Sequence, residues 1–150
     1  MKKVNKVNVK IKKLNPNAII PTYGSEYAAG ADLYACLDKA IVIKKNETVF
    51  VPTGLSMEIP EGLMGLLFAR SGLASKKGLA PANKVGVVDS DYRGEVIVAL
   101  HNHSKENYEL QPGERIAQMV FTPYFMGVFK EEELSSTKRG TGGFGSTGKK

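Results

Sequence analysis

Along residues 6–13 the chain alternates. Val7, Val9 and Ile11 fall between Lys6, Asn8, Lys10 and Lys12. A period of two puts the apolar set on one face of an extended strand and the lysines on the other. Similar short apolar runs follow at 40–43, 48–52, 55–59, 62–69, 95–102, 108–111 and 115–125. Between them stand NPN (15–17), KKNE (44–47), PEG (60–62) and QPGE (111–114), which carry the residues that turns require. Helical periodicity is confined to SGLASKKG, 71–78. Many short strands with close turns predict an all-β sandwich or barrel in the jelly-roll manner, with one short helix.

From Lys130 the pattern stops. The segment KEEELSSTKRGTGGFGSTGKK offers only Leu134 and Phe144 as large apolar residues. Composition divides the chain into a β-rich domain, 1–129, and a flexible glycine-rich C-terminal arm, 130–150.

Length and composition narrow the class. A chain of 150 residues with 42% hydrophobic residues is one domain with a real core. Cys36 is the lone cysteine, so no intramolecular disulfide forms and a reducing setting is expected, the cytoplasm or, for a viral chain, the interior of the host cell. The charged N-terminus MKKVNKVNVKIKK lacks the apolar segment of a signal peptide, and no run is long enough to span a membrane. The net charge of +6 invites a nucleic-acid reading. No aromatic residue interleaves the early lysines, so a solvated outer face is the expectation, with no nucleic-acid partner.

The ending RGTGGFGSTGKK contains Gly140, Gly142 and Gly145 at dinucleotide-turn spacing. Gly143, Gly148 and Lys149 stand at phosphate-loop spacing. Both devices need a helix after the glycines, and only Lys149 and Lys150 follow. Four other segments hold candidate chemistry. AAGADLYA (28–35) carries the lone carboxylate of Asp32. ARSGLASKKG (69–78) places Arg70, Ser71 and Gly72 where the helix starts, a possible anion site or simply a capped helix beside a surface arginine. NKVGVVDSDYRGEV (83–96) holds Asp89, Asp91, Tyr92 and Arg93, which read as a base with a sugar platform or as a charged turn. PGERIAQMVF (112–121) sets Gln118 in an apolar strand, where it must be bonded or face a ligand.

Together, AGADLYA, RSGLA, GVVDSDYRGE, GERIAQMVF and RGTGGFGSTG, in this order and spacing, resemble the five motifs of the trimeric deoxyuridine triphosphatases (dUTPases). The match runs from residue 29 to 148. The resemblance implies a distorted jelly-roll, β-clip-like subunit that forms homotrimers with active sites at subunit interfaces. It implies cleavage of dUTP between the α- and β-phosphates, giving dUMP and pyrophosphate. Such a reaction limits uracil incorporation into DNA and supplies dUMP for thymidylate synthesis. The tail glycines then look like hinges of a lid closing over a bound triphosphate.

Residue by residue, Asp89 resembles the carboxylate that orients and deprotonates the attacking water. Arg70, Ser71, Gly72 and Gln118 resemble the phosphate grip. Arg139 corresponds to an arginine reaching the γ-phosphate, with Ser146 and Thr147 as further ligands there. Asn83, Val88 and Tyr92 resemble the base and sugar pocket, and Phe144 the ring that stacks on uracil. Asp32 is expected to hold the site from behind, through hydrogen bonds or metal-bound water. The implied cofactor is Mg²⁺, carried by phosphate oxygens and water without direct protein ligands. His101 and His103 are expected to be surface residues rather than a zinc site. A dCTP deaminase of similar fold is the nearest rival, but VGVVDSDY lacks a glutamate placed for that chemistry. A jelly roll that binds without catalysis is the other alternative. It would be expected to lack Asp89, Arg139 or Phe144, and all three are present.

Overall fold

The computed structural model describes residues 5–144 of the chain. It contains eleven strands and one short helix, in line with the all-β expectation. In chain order the elements are β1 (Lys10–Lys13), β2 (Thr22–Tyr23), β3 (Ala31–Tyr34), β4 (Ile41–Ile43), β5 (Thr48–Glu58) and β6 (Leu63–Phe68). There follow α1 (Ser71–Lys77), β7 (Leu79–Pro81), β8 (Gly86–Val88), β9 (Glu95–Asn102), β10 (Tyr108–Leu110) and β11 (Arg115–Pro123). They form a four-stranded sheet in the order β1-β5-β9-β7, a five-stranded sheet in the order β2-β3-β11-β6-β8, and the two-stranded β10-β4.

The sheets close over a single core. Leu33, Ile116 and Met119 from the five-stranded sheet are buried with Val51, Leu55, Val98 and Leu100 from the four-stranded one. Each such side chain contributes roughly 1.5–3 kcal/mol on burial. Along β9 the alternation is clean: Val96, Val98, Leu100 and Asn102 point inward. The buried Asn102 amide is satisfied because it donates to the carbonyls of Ile43 (3.0 Å) and Glu106 (2.8 Å).

Partners decide where the predicted strands begin and end. β1 starts at Lys10, three residues later than the alternation suggests, because its partner β5 ends at Glu58, opposite Lys10. The runs 48–52 and 55–59 prove to be one strand, β5, which bends where its register with β9 shifts between Pro52 and Ser56. Gly54 sits at that bend with φ +68, and any Cβ there would fall 2.8 Å from the Cys36 sulfur. β3, β7 and β8 carry no periodic signal of their own and exist because long strands flank them. The predicted helix is present as α1, but its N-cap is Arg70, in extended conformation and without a side-chain capping bond. Its C-cap is Gly78 at φ +71, in the left-handed region that favours glycine. No helix among the described residues is long and apolar enough to cross a membrane.

Candidate active site

The sequence-predicted residues gather in two separate groups, one on the outer face of the five-stranded sheet and one around its β8 edge. The first group forms where β3, β11 and β6 run side by side. Asp32 pairs across the ladder with Gln118, and Gln118 with Phe68, so these three side chains share one face. Their neighbours Ala31, Leu33, Met119 and Leu67 point the other way, into the core.

Charge concentrates at Asp32. Only 8% exposed, it accepts a bond from Arg70 Nε at 2.7 Å on Oδ1, and Arg115 Nη1 stands 3.3 Å from Oδ2. The carboxylate is therefore paired at both oxygens, as a buried charge must be. Gln118 donates from Nε2 to the Ala69 carbonyl at 2.9 Å, tying β11 to the residue before Arg70. Ser71 and Gly72, both exposed, occupy the first turn of α1, where backbone N–H groups lack intrahelical partners. A phosphate-sized anion meeting Arg70, Ser71 and Gly72 would find a guanidinium and free N–H groups together.

Gly30 makes this packing possible. A Cβ there would collide with the Gln118 amide, reaching 3.0 Å from its Cδ and closer still to Oε1. Gly30→Ala is expected to cost about 1–3 kcal/mol of stability by displacing Gln118 from Ala69. Urea unfolding reads it, and an unchanged midpoint would mean that Gln118 moves aside freely.

The second group lies at the β8 edge, between the sheets. Asn83, Val88, Asp89 and Tyr92 line one cavity of about 230 Å³, together with Leu67, Gly86 and residues 95–97. β8 is held by pairing Gly86 with Leu67 and Val88 with Gly65 of β6. The turn before it needs Lys84 at φ +66. Asp89 stands exposed at the mouth, and its carbonyl accepts the Tyr92 N–H at 3.2 Å. The Tyr92 hydroxyl donates to the Glu95 carbonyl at 3.0 Å. That bond lays the ring over Gly94, where any Cβ would fall 2.5 Å from Cζ. The cavity thus offers an amide, a carboxylate and an aromatic platform within one space.

One chain does not unite the two groups. Leu67 faces the cavity and Phe68, the next residue, faces the Asp32 cluster. Among the described residues the arm joins neither: Arg139 is exposed and donates from Nε to the Gly142 carbonyl at 2.8 Å, and Phe144 is fully exposed. Ser146 and Thr147 lie outside the described residues.

His101 and His103 lie with ring centroids 4.3 Å apart and planes tilted by 59°, and burial followed by the charges of His101 and Lys84 lowers the pKa of His103. Among the described residues no group of three or more His, Cys, Asp or Glu side chains could hold a metal ion.

Sequence reasoning missed Arg115, Gly30 and Gly94. Gly30 and Gly94 were visible only as glycines beside a motif carboxylate and a motif tyrosine. Arg115 gave no periodic signal, since it stands at an odd spacing from Gln118.

Known proteins carry the same pattern. The family model described as dUTPase matches residues 16–148. The chain is 50% identical to the deoxyuridine 5'-triphosphate nucleotidohydrolase of Desulfitobacterium hafniense, over 97% of this chain and 99% of that one. It is 41% identical to the enzyme of the same name from Escherichia coli O45:K1, over 97% of this chain and 99% of that one. Among solved structures, a mutant of the Staphylococcus bacteriophage 80alpha dUTPase with dUpNHpp superimposes at a TM-score of 0.81. It shares 28% identity, covering 95% of this chain and 99% of the phage protein. A dUTPase from phage phi11 of S. aureus, solved for the coordination of a structural Mg(II) ion, shares the fold at 24% identity, with a TM-score of 0.76 over 85% of this chain and 98% of that one. With a family model and relatives both spanning nearly its whole length, this chain belongs to the dUTPase family.

Proposed function

We propose that the chain is a dUTP diphosphatase, hydrolysing dUTP to dUMP and pyrophosphate. The observation that carries this reading is that Asn83, Val88, Asp89 and Tyr92 line one and the same cavity. Asn83 supplies an amide that bonds a uracil edge, and Val88 packs against the base. Tyr92 lies under the sugar, where a 2′-hydroxyl would crowd its ring. Asp89 accepts the proton of a water that bonds to the α-phosphorus while the α–β bridging P–O bond breaks and pyrophosphate leaves. Holding that water in line contributes much of the rate, because water is a weak nucleophile.

Arg70, the first-turn amides of Ser71 and Gly72, and the Gln118 amide bind the leaving phosphates. Mg²⁺ fits this donor set as an ion riding on phosphate oxygens: both oxygens of Asp32 are taken by arginines, so its carboxylate would meet the ion only through water. When bound, the ion neutralises charge on the phosphates. The arm, 130–150, is the lid. It brings Arg139, Ser146 and Thr147 to the γ-phosphate and Phe144 to the base, and Arg139 acts as an arginine finger in a water-poor site.

Assembly as a homotrimer is the reading that the separation of the two groups supports. A site using both the Asp89 cavity and the Arg70 cluster would draw them from different copies, since in one chain Leu67 lines the cavity while the next residue, Phe68, shares the face of the cluster. Exposed apolar residues support the same reading. Phe125, Met126, Val128, Phe129 and Leu134 are each at least 81% exposed, and Phe50 is 72% exposed beside Ile97 on the outer face of the four-stranded sheet. In a cell such an enzyme limits uracil incorporation into DNA and provides dUMP for thymidylate synthesis.

Product analysis tests the activity. With Mg²⁺, dUTP alone among dUTP, dCTP, dTTP and UTP is expected to yield its monophosphate and pyrophosphate. Release of a uracil nucleotide from dCTP would identify a deaminase instead, and no turnover of any nucleotide would leave a binding protein.

A further inference from the structure

β11 changes register with β3 between Arg115 and Ala117, so that Arg115 pairs with Tyr34 while Gln118 pairs with Asp32. The consequence is a change of face. Arg115 and Gln118 are three residues apart, and in a regular strand their side chains would point to opposite sides. With the extra residue accommodated, Ile116 and Ala117 are both buried, and Arg115 emerges on the face that carries Asp32 and Gln118. The turn feeding β11 is fixed from both sides. The Glu114 carbonyl accepts the Ala35 N–H at 2.8 Å, and its carboxylate accepts the Gln111 N–H at 2.9 Å and the Tyr108 hydroxyl. Burial, then the Glu114 bond, pushes the Tyr108 pKa up to about 12, so its hydroxyl keeps the proton it donates.

We propose that Arg115 is a positioning residue for phosphate binding, acting through Asp32 to hold the Arg70 guanidinium in its binding pose. The reading rests on the phosphate role assigned to Arg70 above. Asp32 meets Arg70 through Nε alone, and among the described residues the two terminal nitrogens of Arg70 have no hydrogen-bond partner. Those nitrogens are the ones that can fork onto two phosphate oxygens. Asp32 alone would cancel the charge of Arg70. Arg115 on the second carboxylate oxygen restores a net positive charge to the trio, so Asp32 can orient Arg70 without neutralising the site. It also leaves Asp32 paired when Arg70 turns toward an anion, avoiding an unpaired buried carboxylate.

The test is a double-mutant cycle on Arg115→Gln and Arg70→Gln, with Arg115→Lys as the conservative variant. Inorganic pyrophosphate is the probe, its affinity read by calorimetry on the full-length protein, beside KM and kcat for dUTP. Arg115→Gln is expected to weaken pyrophosphate about tenfold and to raise KM by more than it lowers kcat. Arg115→Lys is expected to recover most of that affinity. In the Arg70→Gln background the Arg115→Gln change is expected to add less than about twofold, because the two act in series.

A lowered melting temperature with pyrophosphate affinity unchanged would overturn the proposal and leave Arg115 a structural residue. An undiminished loss in the Arg70→Gln background would overturn it too, since Arg115 would then touch phosphate itself. Should Arg115→Gln fail to fold, Arg115→Met takes its place: a tenfold loss that Arg115→Lys recovers supports the proposal, and wild-type affinity in both variants overturns it. Wild-type protein that binds pyrophosphate but leaves dUTP intact would sink the proposed activity, while the affinity cycle still decides Arg115. Wild-type protein that does not bind pyrophosphate overturns the role of Arg115.

Discussion

Asp89→Asn is expected to lower kcat for dUTP by about 10³-fold, within the usual range for loss of a positioned base. The amide keeps the shape of the carboxylate at the cavity mouth and still holds a water, but it takes no proton. The backbone bond from Tyr92 N–H to the residue 89 carbonyl does not depend on the side chain, so the cavity wall stays in place. Binding of dUTP is therefore expected to survive. Single-turnover kinetics measure the chemical step and calorimetry the affinity. A variant retaining kcat within tenfold would remove Asp89 from the role of base, and lost binding with lost turnover would make it a structural residue of the pocket.

Mixing two defective variants carries the second large effect. Asp89→Asn damages the cavity at the β8 edge, and Arg70→Gln the separate cluster around Asp32, and each alone is expected to lose about 10²-fold or more. In oligomers assembled together from equal amounts, a site drawing Asp89 from one copy and Arg70 from another is intact about one time in four for random assortment in a symmetric ring. Activity near a quarter of wild type is therefore expected from a mixture of two nearly dead proteins. A site built within one chain cannot be rescued this way, because every copy carries a defect. Co-refolding the pair and assaying dUTP hydrolysis, with sedimentation to count subunits, separates the two architectures. An inactive mixture of fully assembled oligomers would rule out the shared site.

Legibility followed the physics of each signal. The β-rich class was readable because long strands such as β9 alternate inward and outward over eight residues. β3 was not readable as a strand: Ala31 and Asp32 have weak strand preference, and its place between β2 and β11 is imposed by the neighbours. The bend in β5 hid at Gly54, which fell in the gap between two apolar runs and proved to be a kink within one strand.

The candidate site divides along the same line. Asn83, Val88, Asp89 and Tyr92 are near in sequence, so one turn suffices to bring them around one cavity. Asp32, Arg70 and Gln118 are remote in sequence, and their meeting depends on strand pairing that local patterns do not encode. Arg115 is the sharpest case. Its side chain reaches Asp32 only because the strand slips by one residue, and a slip of one residue reverses which face a side chain takes.

From residue order alone came the family, the class of fold and a set of candidate site residues, since those reside in composition, periodicity and short motifs. Strand order, the register shift in β11, the double pairing of Asp32 and the separation of the candidate residues into two groups came from the tertiary structure alone. These are relations between residues far apart in the chain. They are set by which edges find hydrogen-bond partners and which faces find a core, and no local stretch of sequence carries that information.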